Sequence, residues 1–281
     1  MRDVQIIRVN HKSLTVNGQE PLELIVVGHV TVDRVGGEKR LGGAAAYAAL
    51  AAKKLGANVG VVTSFGDDFP FLHLFEDISM RVIGADKTTT FDNIYADGTR
   101  DQRVASMASP LRAEHVANLV LAEDAAVLYC PVVHEIEAPL EPLTPKGLCG
   151  VAPQGFYRQW DDAGVVSSRE WSEAAHALSR VDVVCLSEDD TEAPEELAEN
   201  FSGRAFVVTR GAAGCRVYSG VDIYDFPAIP TQEVDPTGAG DVFAATFVLA
   251  LRDGAAVPAA SRVAAQQAAA VVNRPGVDGL L

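Results

Sequence analysis

Short, continuous runs of apolar residues recur along this chain, and helical stretches separate several of them. These runs occupy residues 23–30, 58–65, 125–132, 147–152, 181–187 and 204–209. Strands that are apolar throughout, rather than in alternation, are typical of a parallel sheet buried on both faces. The intervening sequence predicts helices at 43–55, with Gly56 ending it, at 168–179 and at 193–200. The pattern predicts a doubly wound α/β fold that forms one domain over residues 1–281.

Two segments depart from this pattern. Residues 88–106 alternate apolar and polar side chains around Asp97-Gly98, and residues 30–40 are strand-like around Gly36-Gly37. Both predict antiparallel pieces outside the main sheet. They are compatible with a small β lid over a site, and equally with two edge hairpins that have no function. The first 20 residues form an extension, for which Asn17-Gly18 predicts a hairpin turn.

Composition and charge narrow the class of function. The chain has 23 basic and 38 acidic residues, a net charge of −15, which argues against wholesale binding to nucleic acid or anionic membranes. The six histidines form no cluster with metal-ligand spacing, and the cysteines lie far apart, at Cys130, Cys149, Cys185 and Cys215. This favours free thiols over zinc or disulfides. The longest apolar stretch, 242–251, is about half a membrane span. We expect a soluble cytoplasmic protein without a signal peptide, a monomer or homodimer that binds small molecules.

Residues 234–245, VDPTGAGDVFAA, carry the clearest chemical signal. Small, flexible residues precede a helix predicted at 241–253, and this helix is apolar on nearly all sides and therefore buried. Its first N–H groups and their partial positive charge point into the protein, where an anion can satisfy them. We therefore interpret the backbone of Gly238, Ala239 and Gly240 as an anion hole.

Asp241 stands at the edge of this anion hole. We expect the helix dipole to hold its carboxylate ionised, so that it can accept a proton. A carboxylate beside an anion hole is a poor choice for binding phosphate alone. It is suited to taking a proton from an attacking hydroxyl while the backbone stabilises a transferred phosphoryl group. A simple helix-capping role for Asp241 is the alternative.

The string DPTGAGD followed by an apolar helix resembles the C-terminal signature of the ribokinase-like (PfkB) carbohydrate kinases. The resemblance covers residues 22–277 and includes further motifs of the family. These are Leu41-Gly42-Gly43 with Gly66-Asp67-Asp68, Gly28 with Asp33, and Thr209-x-Gly211-x-x-Gly214. A P-loop and a dinucleotide-binding fingerprint after the first strand are absent from the sequence.

The resemblance implies a three-layer α/β fold and ATP-dependent phosphorylation of a hydroxyl on a sugar or polyol. It implies that Asp241 is the general base and that Mg²⁺ enters with the nucleotide. The remaining implied roles are substrate binding by Asp33, Gly42 and Gly43, a border to ATP at Thr209, Gly211 and Gly214, and a monovalent-cation site, with K⁺ as the candidate ion, at Asp235 and Thr237. A catalytically silent regulatory relative is an alternative, against which the intact Asp241 argues.

Two departures from the family pattern bear on the substrate. Tyr47 replaces a usual asparagine, and Ser187 to Asp190 replaces the family's Asn-x-x-Glu motif, so that Asp190 takes the place of a metal-network glutamate. Both resemble the inositol-kinase-like branch, as does Gln154 with Arg158, and Gln154 is a candidate substrate contact.

The aromatic candidates Tyr47, Phe91 and Tyr95, and the lack of a recognisable basic cluster, favour a cyclitol such as myo-inositol. Ribose, another sugar or a nucleoside is the alternative, because an aromatic lid can also stack on a base. Among other residues, we expect a structural role for His29, solvent exposure for Arg103, and packing for Trp160 and Trp171. For Arg158 and Arg210 we expect a position facing the nucleotide or an acidic partner.

Overall fold

The computed structural model describes the backbone of residues 4–8, 20–96 and 99–281, and the side chains of residues 20–94 and 101–281. The strands are, in chain order, β1 (Val4–Arg8), β2 (Leu22–Val27), β3 (Thr31–Val35), β4 (Glu38–Gly42), β5 (Val59–Phe65), β6 (Ser79–Gly84), β7 (Thr90–Ala96), β8 (Thr99–Ser106), β9 (Leu121–Tyr129), β10 (Cys149–Val151), β11 (Arg158–Trp160), β12 (Val166–Ser168), β13 (Val183–Ser187), β14 (Ala205–Thr209), β15 (Cys215–Ser219) and β16 (Asp222–Phe226). The helices are α1 (Ala44–Lys54), α2 (Ala113–Val116), α3 (Ala174–Ala177), α4 (Pro194–Glu199), α5 (Ala239–Arg252) and α6 (Val257–Val271).

The main sheet has ten strands in the order β1-β6-β5-β2-β9-β10-β13-β14-β15-β16. The block from β6 to β14 is parallel, whereas β1 at one edge and β15 and β16 at the other are antiparallel. All six apolar runs identified in the sequence contribute strands to the parallel block. This confirms the predicted three-layer α/β fold.

Helices cover both faces of the sheet because successive strand residues point to opposite sides. On β2, Leu24 and Val26 pack into the core shared with α1, α5 and α6, whereas Ile25 and Val27 pack into the core on the other face. The second core includes residues of α3 and α4. None of the helices in the described residues is long and apolar enough to span a membrane.

The two segments predicted to lie outside the main sheet form a second sheet of four strands, ordered β4-β3-β7-β8. We call it the small sheet. Strands β3 and β4 form one antiparallel pair, β7 and β8 another, and β3 runs parallel to β7. The prediction of antiparallel pieces is therefore confirmed, although the turn residues Asp97-Gly98 lie outside the described residues, as does the predicted N-terminal turn at Asn17-Gly18.

The predicted helix at 168–179 is wrong over most of its length. The structure has β12 ending at Ser168, then the single-turn helix α3 and a 3₁₀ turn at Leu178–Arg180. Tertiary contacts override the helical pattern here. The Trp171 ring stacks on Phe156 at 4.5 Å, and the N–H of Arg169 donates to the carbonyl of Tyr157 at 2.8 Å.

The fold determines where a site can form. From β2 the chain first builds outwards to β5 and β6, and it then returns to place β9 on the other side of β2. Such a reversal leaves a crevice at the carboxyl ends of the strands, where ligands bind in open α/β sheets. The segments that follow β2, β9, β10, β13 and β14 all begin at this edge, and the small sheet rises from the end of β2.

Candidate active site

The N-terminus of α5 forms the centre of the crevice. Gly238 precedes the helix with φ of 81°, a left-handed conformation that favours glycine. The N–H of Ala239 donates to Pro236 at 3.2 Å and that of Val242 to Gly238 at 2.9 Å. Within the described part of the chain, no carbonyl accepts from the N–H groups of Gly238, Gly240 and Asp241. The predicted anion hole thus differs in one member, because the Ala239 amide is already bonded.

Asp241 lies in the first turn of α5, and its environment differs from the one expected. The pKa of its carboxyl is raised to about 7, chiefly by burial and also by the nearby charge of Asp190, while Arg158 lowers it. Burial thus opposes the ionisation that we expected from the helix dipole, and the carboxyl is only partly ionised at neutral pH. A pKa near neutrality is close to ideal for a group that accepts and returns a proton at physiological pH.

Asp190, in the loop after β13, lies in the same crevice. Its Oδ2 accepts from the N–H of Ser187 at 2.8 Å, and its Oδ1 accepts from Nε2 of Gln154 at 3.3 Å. Burial raises the pKa of Asp190 despite these two bonds. The structure therefore brings Gln154 next to Asp190. Its predicted contact with substrate remains a prediction.

Arg158, at the start of β11, is the cation of this group. It lowers the pKa of both Asp241 and Asp190, although burial keeps both above the usual aspartate value. Its guanidinium lies 5.8 Å from the ring centroid of Phe91 on β7, and Nη1 is 3.5 Å from the carbonyl of Val132. The arginine therefore contacts the small sheet and lies close enough to both carboxylates to lower their pKa, in line with the expected acidic surroundings.

Asp33 projects from β3, and its carboxylate, like that of Asp241, lies near the hydroxyl of Tyr47. Its Oδ1 accepts from the hydroxyl of Thr31 at 3.2 Å, and the side chain remains half-buried. A Cβ at Gly42 would overlap Oδ1 of Asp33, so glycine leaves room for this carboxylate. Gly43, with φ of 90°, then turns the chain into α1. The predicted group of Asp33, Gly42 and Gly43 is thus brought together, and its binding of substrate remains a prediction.

Tyr47 is not where the substrate prediction requires it. The residue is 3% exposed, and a Cβ at Gly238 would overlap its ring carbons Cδ1, Cε1 and Cγ. The ring therefore packs directly beneath the glycine turn. Its hydroxyl lies 3.5 Å from the carbonyl of Leu41. The expectation that the Tyr47 ring faces substrate is therefore wrong, because the ring is buried beneath the crevice and does not line it.

Asp235 and Thr237 lie in the loop before α5. Oδ1 of Asp235 accepts from the N–H of Thr237, and Oδ2 accepts from the N–H of Gly276, both at 2.9 Å. Burial alone would raise the pKa of Asp235, but these bonds and the charge of Arg40 keep it below its usual value. The carboxylate thus fastens the loop to the C-terminal segment. The cation role of Asp235 and Thr237 remains a prediction.

The segment after β14 forms the other predicted border of the site. The hydroxyl of Thr209 donates to the carbonyl of Leu186 at 3.2 Å, and Gly214 has φ of 94° where a Cβ would overlap the carbonyl of Phe226. Arg210 pairs with Glu195 at 2.9 Å, which confirms that it has an acidic partner. A Cβ at Gly211 would meet nothing within 4 Å, so this border is open.

Sequence reasoning missed Glu135, which is 4% exposed behind the crevice. Its carboxylate accepts from the backbone N–H groups of His29, Val132 and Val133 at distances of 2.8 to 3.1 Å. It therefore ties the end of β2 to the segment after β9. A lone acidic residue in the apolar run 132–136 is the signal that could have identified it.

The side chains and backbone fit a nucleotide phosphate and its metal. A Cβ at Gly240 would meet nothing within 4 Å, so an anion can approach the α5 amides closely. The nearby donors for a cation are the hard oxygens of Asp190 and Gln154, the kind of ligand Mg²⁺ binds directly or through water.

Comparisons with known proteins agree with this geometry. The profile of the pfkB family of carbohydrate kinases matches residues 22–280. A cytidine kinase of Thermococcus kodakarensis is 29% identical over 283 residues, covering 91% of this chain and 98% of the relative. An inositol 3-kinase of Oryza sativa subsp. japonica is 31% identical, covering 93% of this chain and 71% of the relative. A solved pyrophosphate-dependent kinase of the ribokinase family, complexed with a pyrophosphate analog and myo-inositol, superposes with a TM-score of 0.74 at 22% identity, covering 90% of this chain and 96% of that one.

Proposed function

This chain belongs to the pfkB family of carbohydrate kinases, and we propose that within this family it transfers a phosphoryl group from ATP to a hydroxyl of an uncharged polyol, with a cyclitol such as myo-inositol as the preferred acceptor. One observation carries the proposal. A carboxylate with a pKa of about 7 lies at the open amides of a buried helix N-terminus, and Asp33 lies nearby, since the charges of both carboxylates raise the pKa of the Tyr47 phenol.

Each part of this crevice has a place in the reaction. Asp33 presents carboxylate oxygens to vicinal hydroxyls of the acceptor. Asp241 accepts the proton of the attacking hydroxyl. The hydroxyl oxygen of the acceptor then bonds to the γ-phosphorus as the bond from that phosphorus to the ADP leaving group breaks. The amides of Gly238, Gly240 and Asp241 stabilise the charge on the transferred group. Magnesium, when bound with the nucleotide, neutralises phosphate charge, and Asp190 with Gln154 would hold it through water.

The environment of Phe91 favours a cyclitol over a nucleoside. Phe91 is 3% exposed, and the guanidinium of Arg158 already lies against its ring. The nucleobase of a nucleoside would need a free aromatic face for stacking, and Phe91 does not offer one. The other aromatic candidate on the small sheet, Tyr95, has a side chain outside the described residues. Rice inositol 3-kinase, 31% identical, supports the same acceptor class.

The nucleoside alternative also has a specific observation in its favour, because the cytidine kinase of Thermococcus kodakarensis matches nearly its whole length to this chain. A measured substrate profile separates the two. The assay compares kcat/KM for myo-inositol, ribose, fructose and cytidine with ATP, Mg²⁺ and K⁺ present. We expect myo-inositol to be preferred. A nucleoside or ribose preferred tenfold, about 1.4 kcal/mol, would overturn the cyclitol assignment and leave the kinase assignment intact.

The same panel tests the donor and the possibility of a silent relative. Pyrophosphate is included as a second donor, because the solved kinase bound to myo-inositol is pyrophosphate-dependent. We expect ATP to be the donor. We also expect Mg-ATP to raise the Tm of the protein, since a ligand that binds only the folded state stabilises it. Binding of nucleotide without turnover of any acceptor in the panel would instead favour a regulatory role.

A further inference from the structure

The buried ring of Tyr47 contacts, from beneath the crevice, both the turn that precedes Asp241 and the strand that packs against Asp33. Tyr47 belongs to α1, and one face of its ring lies so close beneath Gly238 that no side chain could be placed there. Its hydroxyl reaches the carbonyl of Leu41 on β4 at 3.5 Å. A Cβ at Gly276 would lie 4.0 Å from the same hydroxyl. One rigid side chain therefore contacts or approaches the glycine turn, the small sheet and the C-terminal segment.

The charges around the ring show that the carboxylates of both substrate sites lie near it. Burial raises the pKa of the Tyr47 phenol, and the negative charges of Asp235, Asp33 and Asp241 raise it further. Asp33 belongs to the wall that we assign to the acceptor, and Asp241 belongs to the wall that receives the phosphoryl group. The ring is thus close enough to both carboxylates to experience their charge.

The connection from the ring to Asp33 is short. Leu41 precedes Gly42, and Gly42 packs against the carboxylate of Asp33 without room for a side chain. Gly42 also pairs with Thr31 across β3 and β4, and Thr31 donates to Asp33. A displacement of the β4 end relative to α1 would therefore move Asp33 as well.

We propose that Tyr47 is a positioning residue, a rigid spacer that sets the distance between the acceptor held at Asp33 and the phosphoryl site at the Gly238 turn. The proposal rests on the proposed function as a phosphotransferase. In-line transfer depends on the alignment of two separately bound groups, and a misplacement of about 1 Å can lower the rate by about 10²-fold. A planar ring with two rotatable bonds suits this purpose, since it holds a fixed thickness.

A spacer affects the reaction in a characteristic way. When the ring is removed, the acceptor can still bind at Asp33 and the phosphoryl group at the Gly238 turn, so the affinity for each substrate changes little. The alignment of the two bound substrates deteriorates. The variant Tyr47→Leu should therefore lower kcat by about 30-fold or more, with KM for acceptor and donor changed by less than about threefold. The variant Tyr47→Phe keeps the ring and should restore most of kcat.

The control is Phe206→Leu. Phe206 is a fully buried aromatic residue on β14, in the core on the opposite face of the sheet. The Phe206→Leu variant loses an aromatic ring of similar size, so its kcat shows how much a general loss of folding stability lowers activity. We expect it to lower Tm comparably to Tyr47→Leu while leaving kcat close to wild type. Hydrogen exchange over residues 232–245 in the full-length protein should accelerate in Tyr47→Leu and not in Phe206→Leu.

Each other outcome has a defined meaning. An increase of acceptor KM in Tyr47→Phe with kcat retained would show that the hydroxyl contacts substrate, and the spacer assignment would be wrong. Equal kcat in Tyr47→Leu and Phe206→Leu would reduce Tyr47 to a core residue. Absence of turnover in the wild-type protein with every acceptor and donor would refute the proposed function instead. In that case the exchange experiment still decides whether Tyr47 supports the glycine turn, and unchanged exchange there would refute the spacer.

Discussion

At the scale of single residues, the most important feature of the site is how strongly burial raises the pKa of the Asp241 carboxyl. In water its carboxyl would be ionised well below neutral pH, yet in this crevice its pKa is about 7. Burial accounts for most of this rise, and Asp190 adds to it. The raised pKa makes the ionised form of Asp241 a stronger base than an ordinary aspartate, and a substantial fraction of the carboxyl stays ionised near physiological pH.

Replacement of Asp241 by asparagine tests its role as the base. The amide fills the same space but cannot accept the proton, so Asp241→Asn should fold and bind Mg-ATP while kcat falls by about 10²–10⁴-fold. Steady-state kinetics and nucleotide-dependent thermal shifts measure the two effects separately. If the variant retains nearly wild-type kcat, Asp241 is a helix cap and the proposed mechanism is incorrect.

The charge of Arg158 predicts a pH effect. Activity requires ionised Asp241, so kcat/KM should rise with pH and level off above about 7. Arg158 lowers this pKa, and Arg158→Gln should therefore move the rising limb to higher pH. Arg103, one of the exposed arginines of the small sheet, provides the control, and the pH profile of Arg103→Gln should match wild type. A limb that stays in place in Arg158→Gln would show that the arginine does not influence the base.

Residue-level prediction succeeded where one local string carries the information. Asp33, Asp190 and Asp241 were each identified from a short motif, and the structure places Asp190 close enough to Asp241 to raise its pKa. The position of Tyr47 did not follow, because the contact that defines it joins α1 to Gly238, nearly 200 residues further along the chain. Periodicity in a sequence does not encode such a contact.

At the scale of elements, the small sheet is fastened at its base by buried polar contacts. His29 lies 2.8 Å from the hydroxyl of Thr89 and 2.9 Å from the carbonyl of Ser109, which confirms its structural role. On the outer edge, the N–H of Val104 on β8 donates to the carbonyl of Gly164, in the turn between β11 and β12, at 2.9 Å. The hairpin that begins with Arg158 therefore also holds the edge of the small sheet.

We expect substrate to order this sheet. If it acts as a lid, hydrogen exchange in residues 30–40 and 88–106 should slow when myo-inositol and a non-hydrolysable ATP analogue bind, because closure excludes water. The buried strands β13 and β14 serve as internal controls and should not change. Unchanged exchange in both segments would mean that they are ordinary hairpins.

Element prediction followed the strength of the local pattern. Continuous apolar runs identified six of the seven strands of the parallel block, and alanine-rich residues identified α1. The exception is β6, where Ser79 and Arg81 interrupt the apolar residues. The hairpin of β11 and β12 was missed because each strand has only three residues, too few to show a period. The helix expected at 168–179 failed because burial of Trp171 against Phe156 determines the path of the chain there.

At the scale of the whole molecule, the net charge of −15 opposes the approach of an anionic nucleotide. Screening reduces this repulsion, since the Debye length falls from about 30 Å at 0.01 M salt to about 10 Å at 0.1 M. We therefore expect kcat/KM for Mg-ATP to increase over this range, while kcat/KM for an uncharged acceptor stays nearly constant. A decrease for Mg-ATP would show that the local field of Arg158 and the α5 N-terminus dominates association.

The bond from Gly276 to Asp235 has a practical consequence for preparations of this protein. Residues near position 276 hold the loop that leads into α5, and the carbonyl of Gly279 accepts from Lys54 at 2.8 Å. Trimming by a carboxypeptidase past Gly276 would remove both attachments although every residue of the crevice remains. Samples with ragged ends would then show a spread of specific activities, which intact-mass spectrometry would trace to the trimmed fraction.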